Sequence, residues 1–156
     1  MCAASTPFPL LQRCAKPRGF LMAAPADDNA EKNAAAADGP LEEHFLRPRN
    51  AGELADADLS VRVENPVCGD LLDLHLRRGS DGRIAACGFQ VYGCPAAIAA
   101  GSMLTELIAG RSKEECEALT LEQITTALGA LPKAQLHAVH LAFDALQSAC
   151  SQWNAP

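Results

Sequence analysis

The sequence predicts an α+β fold: a three-stranded antiparallel sheet with helices packed on one face, the C-terminal helices following the strands. Two observations predict it. Between residues 58 and 92, three stretches alternate apolar and polar residues, separated by short turns, which is the period of half-buried strands. From Pro95 onward the alternation stops, and apolar residues recur at helical spacing behind capping-box signatures. Strands first and helices after is the pattern of a sheet covered on one side.

Residues 1–40 stand apart. Met1 to Ala26 holds Arg13, Lys16 and Arg18 and no acidic residue, and Asp27 to Pro40 is alanine-rich with scattered charge. Neither part has the periodicity of a folded element, so residues 1–40 are expected to be a disordered tail. A basic, acid-free start also fits a targeting extension, or an over-extended start with Met22 as the true first residue. The folded domain is expected to span 41–156.

Within that domain, Leu41 to Leu46 fits one or two helical turns, ended before Pro48 because the residue preceding proline avoids the helical region. His44 reads as an ordinary helix residue. The first strand is expected from Asp58 to Val63, with Leu59, Val61 and Val63 on one face. In the second, Leu72, Leu74 and Leu76 alternate with Asp73, His75 and Arg77, which places His75 on the polar face without a role. Gly79 to Gly82 is a turn, and Arg83 to Tyr92 the third strand. A helix then starts at Pro95, carries Ile98, Met103, Leu104, Leu107 and Ile108 on its apolar side, and stops at Gly110. Ser112 with Glu115, and Thr120 with Gln123, form two capping boxes that open short helices. Leu131-Pro132 starts the last helix, lined by Leu136, Leu141, Ala142, Ala145, Leu146 and Ala149.

Composition removes several classes of function. A net charge of −6 offers no basic stripe for nucleic acid. No apolar run approaches the roughly 18 residues of a membrane span. Seven cysteines at irregular spacing read as free thiols in a reducing compartment, some of them ligands. The expected location is cytoplasmic, with the mitochondrial matrix as the alternative.

The chemistry gathers around residues 89–102, a strand end, a turn at Gly93 and a helix start. Gly93 reads as a residue chosen for backbone freedom. Pro95 suits the first helical position. Cys94 is thereby set at a helix N-terminus, where amides and the helix dipole favour a thiolate. Cys68 and Asp70 lie in the turn between the first two strands, and His137 near the start of the last helix. In a meander that turn shares an end of the sheet with the end of the third strand, so Cys68, Asp70 and Cys94 can converge. Thiolate, carboxylate and imidazole together suit zinc, iron or an iron–sulfur cluster. Cys87 reads as core or sheet surface, Cys116 as packing, and Cys150 as too far along its helix to join.

From about residue 41 to 150 the chain resembles the IscU/NifU family of iron–sulfur cluster assembly scaffolds. His44 to Gly52 is similar to the family's opening motif and Cys68-Gly69-Asp70 to its first ligand motif. Gly93-Cys94, with the following Ala-Ile-Ala run and Thr105-Glu106, resembles the second, and Leu131-Pro132 with His137 and Leu141-Ala142 the third. The resemblance implies a scaffold that takes sulfur from a cysteine desulfurase and iron from a donor. It builds a cluster, [2Fe-2S] by expectation, and passes it to apo-proteins. The matching ligands are Cys68, Asp70, Cys94 and His137, with the aspartate keeping the cluster labile. Zinc is the other expected metal in the protein as isolated.

Two positions depart from the family pattern. The cysteine that normally follows the histidine is Ala138 here, and His140, one turn on, is a possible additional ligand. The segment Leu131 to Gln135 lacks the second proline and the lysine of the stretch that Hsp70-type chaperones read in some members, so no chaperone partner is carried over. Three functions stand: a cluster scaffold that is not a turnover enzyme, a zinc-binding sulfur-acceptor or regulatory partner of a desulfurase, and an interaction module that has lost the cluster.

Overall fold

A computed structural model describes residues 39–129 and 131–153. The tail expected over residues 1–40 lies outside them except for Gly39 and Pro40, which open the first helix. The elements in order are α1 (Pro40–Leu46), β1 (Leu59–Glu64), β2 (Leu71–Arg78), β3 (Ile84–Tyr92), α2 (Pro95–Ile108), α3 (Lys113–Glu117), α4 (Leu121–Leu128), a 3-10 turn (Lys133–Gln135) and α5 (Leu136–Gln152). The three strands form one antiparallel sheet in the order β1-β2-β3, the fold the sequence predicts. Strand bounds shift by one residue from the expected ones, as hydrogen-bonded ends commonly do.

Register explains the core. Val61 pairs with Leu74, Val63 with Leu72, and Leu59 with Leu76; on the other side Leu74 pairs with Phe89 and Leu72 with Val91. The alternating apolar residues of all three strands therefore share one face, and α2 and α5 pack against the sheet there. Leu72, Leu74, Leu104, Ala142 and Ala145 are fully buried in the layer between. The helix α2 can approach closely because Gly101 lacks a side chain. A Cβ there would lie 2.6 Å from the Phe89 ring. Both capping boxes form: Ser112 with Glu115 opens α3, and Thr120 with Gln123 opens α4. α5 begins at Leu136 and not at Pro132, whose extended ψ of 143° precedes a separate 3-10 turn.

Two histidines differ from their sequence reading. His75 does face away from the helices, yet it is only 9% exposed and Asp73 only 6%. On that face Arg62 closes over Asp73 with hydrogen bonds of 2.6 and 2.7 Å, and Ser60 Oγ meets His75 Nδ1 at 2.8 Å. The segment after α1 also runs beside β3, where Gly52 N–H donates to the Phe89 carbonyl at 2.8 Å. His44 is no ordinary helix residue either: it is 3% exposed and joins α1 to α2. Arg49 can only donate, so its Nη1–H at 3.1 Å requires a lone pair on His44 Nε2. His44 Nδ1 must then carry the proton and donate to Ser102 Oγ at 2.8 Å. Burial, and next the Arg49 charge, lower the pKa of His44 and keep it neutral. Arg49 also pairs with Glu106 at 3.1 Å, and Asn50 donates to Thr105 at 3.1 Å. This clasp seats α1 and the following loop on α2.

Candidate metal centre

The turn between β1 and β2 is held by its own backbone. Asn65 N–H donates to the Asp70 carbonyl and Gly69 N–H to the Asn65 carbonyl, both at 2.8 Å. The Asn65 side chain accepts from Val67 N–H at 2.9 Å, a local bond of the kind that favours asparagine in turns. Gly69 has φ 73°, the left-handed region that glycine enters without steric cost. The turn leaves Cys68 exposed and Asp70, two residues on, only 7% exposed.

Cys94 is the N-cap of α2, with Pro95 in the first helical turn as expected. Its thiol is not the activated thiolate that this placement predicts. Burial pushes its pKa up, and a hydrogen bond to the Asp70 carboxyl adds to that; the amides of Ala97 and Ala96 act in the opposite sense without prevailing. The helix N-terminus acts as the sequence suggests, and desolvation outweighs it.

His137, the second residue of α5, points its ring back across the 3-10 turn. Its Nδ1–H donates to the Ala134 carbonyl at 2.7 Å, which leaves the lone pair of Nε2 facing the site. Nε2 lies 3.4 Å from Cys94 Sγ and 3.5 Å from Asp70 Oδ2. Cys68, Asp70 and His137 each present one donor atom, and the three lie within 4.8 Å of one another. Asp70 Oδ2 is buried with no hydrogen-bond partner. A carboxylate oxygen, an imidazole nitrogen and the Cys94 sulfur thus crowd one space, with the Cys94 thiol proton turned toward His137 Nε2 and the Asp70 carboxyl. Such a donor set suits zinc or iron. The residues fit a metal on chemistry as well as on spacing.

The remaining candidates fall elsewhere. His140 is exposed on α5 and is not among the donors that lie within 4.8 Å of one another. Ala138 is 1% exposed. Cys87, Cys116 and Cys150 are buried; Cys87 donates to the Thr105 carbonyl at 3.3 Å, and burial pushes the Cys116 thiol up to about 12. Sequence reasoning missed Gln135, whose Oε1 is buried without a partner two residues before His137. No pattern in the chain marks that glutamine.

A helix-backed antiparallel sheet with thiol, carboxylate and imidazole gathered at one end defines a small α+β metal-binding domain with an accessible ligand. Residues 39–156 match the NifU-like N terminal domain, and the chain belongs to that family. It is 46% identical over 107 residues to the iron–sulfur cluster assembly scaffold protein IscU 1 of Archaeoglobus fulgidus, covering 69% of each chain. Against the scaffold protein IscU of Haemophilus influenzae it is 37% identical over 116 residues, covering 72% of this chain and 91% of that one. Its fold is similar to the crystal structure of a NifU-like protein, N-terminal part, from Brucella abortus. There the TM-score is 0.58 at 18% identity, over 79% of this chain and 96% of that one.

Proposed function

We propose that this protein is a scaffold on which an iron–sulfur cluster is assembled and from which it is handed to apo-proteins. The observation that carries the reading is the donor group Cys68, Asp70 and His137, with Cys94 against His137 and one buried Asp70 oxygen lacking a hydrogen-bond partner. The family and the scaffold names of its relatives support it. Cys68, Asp70, Cys94 and His137 hold the cargo, a [2Fe-2S] cluster, with sulfur from a cysteine desulfurase and iron from a separate donor. A carboxylate binds such iron less firmly than a thiolate, so Asp70 keeps the cargo releasable. The protein carries and releases and does not turn over a substrate, and it works in the cytoplasm. Among the described residues no helix is long and apolar enough to cross a membrane.

Anaerobic reconstitution with ferrous iron, cysteine, a cysteine desulfurase and a thiol reductant that reduces the transferred sulfur to sulfide tests this. The expected product is a coloured protein with equal iron and sulfide, lost in Cys68→Ser and Cys94→Ser and longer-lived in air in Asp70→Ala. A colourless protein that retains zinc and takes up no iron would overturn the scaffold reading in favour of a zinc-binding partner of the desulfurase.

A further inference from the structure

We infer that Gly93 is a positioning residue for the Asp70 carboxyl: the side chain missing at position 93 is the space the carboxyl fills. This rests on the metal site proposed above and adds to it a residue that carries no donor atom. The β2–β3 ladder ends with Leu71 opposite Tyr92. The next residues outward on the two chains, Asp70 and Gly93, therefore face one another. A Cβ built on Gly93 would lie 2.6 Å from Asp70 Cγ, 2.7 Å from Oδ1 and 2.9 Å from Cβ. Ordinary carbon contacts are about 3.5–4.0 Å, so carboxyl and side chain cannot share that volume.

Backbone conformation does not supply the reason for glycine here. Among the described residues, positive φ belongs to Gly52, Gly69, Gly82, Gly110, Gly129 and Asn50, and not to Gly93. The expectation that Gly93 serves as a flexible turn residue is thereby corrected. The glycine is needed for room, not for freedom.

The consequence is specific. Any side chain at 93 levers the carboxyl away from its place 3.5 Å from His137 Nε2, while Cys68, Cys94 and His137 keep their own backbone supports. Gly93→Ala should thus reproduce the loss of Asp70 from the ligand set without altering a ligand.

The test is anaerobic titration of cobalt(II) into the metal-free full chain, read by its visible ligand-field and sulfur-to-cobalt bands. Parent, Gly93→Ala, Asp70→Ala, Asp70→Gly and Gly93→Ala with Asp70→Gly are compared. Gly93→Ala is expected to weaken binding roughly 10- to 100-fold, the range seen when support of a ligand is removed. Its bands should change as those of Asp70→Ala do. In the Asp70→Gly background, where the Asp70 Cβ that would lie 2.9 Å from the new methyl is gone as well, the same substitution should change affinity by less than about twofold, because the two act through one side chain. Parent-like binding by Gly93→Ala, or an equal loss in both backgrounds, would overturn the inference. If Gly93→Ala does not fold, Gly93→Ala with Asp70→Gly must fold, since the overlapping carboxyl is gone; failure of that rescue overturns it equally. A parent that binds no cobalt through sulfur refutes the metal site itself. The overlap is then read from thermal unfolding: Gly93→Ala lowers the midpoint of the parent and leaves that of Asp70→Gly unchanged.

Discussion

Removing the Asp70 carboxyl should stabilise the metal-free protein. Asp70 Oδ2 is buried without a partner, and the side chain faces the lone pair of His137 Nε2 at 3.5 Å. An unsatisfied buried polar group costs about 1–3 kcal/mol, and more when charged. Against this, Asp70→Ala gives up the hydrogen bond with the Cys94 thiol, worth about 1 kcal/mol. The net expectation is a gain of up to about 2 kcal/mol. For a domain of this size that is a rise in melting midpoint of up to about 10 °C. Asp70→Asn should gain similarly, because its amide can donate to His137. The assay is thermal or urea unfolding of parent and both variants in chelator, repeated with zinc. With zinc at about 100 times the parent's Kd the parent gains about 2.7 kcal/mol, and the order should invert. A parent at least as stable as Asp70→Ala in chelator would refute the reasoning, because the orphan oxygen would then carry no strain for a metal to relieve.

Other expectations concern groups around the site. His44 has a lowered pKa in the folded chain, so the unfolded chain binds more protons below its ordinary value near 6.5. Stability contributed by neutral His44 is present above that pH and is lost as pH falls toward the folded value; urea midpoints at pH 7.5 and 5.5 should converge in His44→Gln relative to the parent. Alkylation followed by peptide mapping should modify Cys68 first and Cys94 more slowly. Cys87, Cys116 and Cys150 should react only on unfolding, since they are buried and burial pushes the Cys116 thiol up to about 12; early labelling at Cys116 would contradict the packing described. His140→Ala should keep cobalt affinity within about twofold of the parent while His137→Ala loses most of it, and a large loss at His140 would extend the site along α5.

What the sequence alone determined is what local physics determines. Period-two alternation named the strands and, through Leu72, Leu74 and Leu76, the face that meets the helices. The boxes at Ser112 and Thr120 formed as read, because both partners of each lie within one helical turn. The chain also showed where its donors lie, since Cys68-Gly69-Asp70 and Gly93-Cys94 sit at element ends that a meander brings toward one end of the sheet; the packing of α5 is what sets His137 beside them. Tertiary structure decided whatever depends on neighbours distant in the chain. Alternation placed Asp73 and His75 on the outer face, but Arg62 and Ser60 of the adjoining strand decided that they are covered. Helix position favoured an ionised Cys94, and burial beside Asp70 reversed it. His44 looked incidental until Ser102 and Arg49 met it across more than fifty residues and five, respectively. Gly93 looked like a flexible turn residue until the ladder set Asp70 opposite it. Periodicity specifies which way a side chain points, whereas burial, charge state and available volume are set by whatever long-range packing places there.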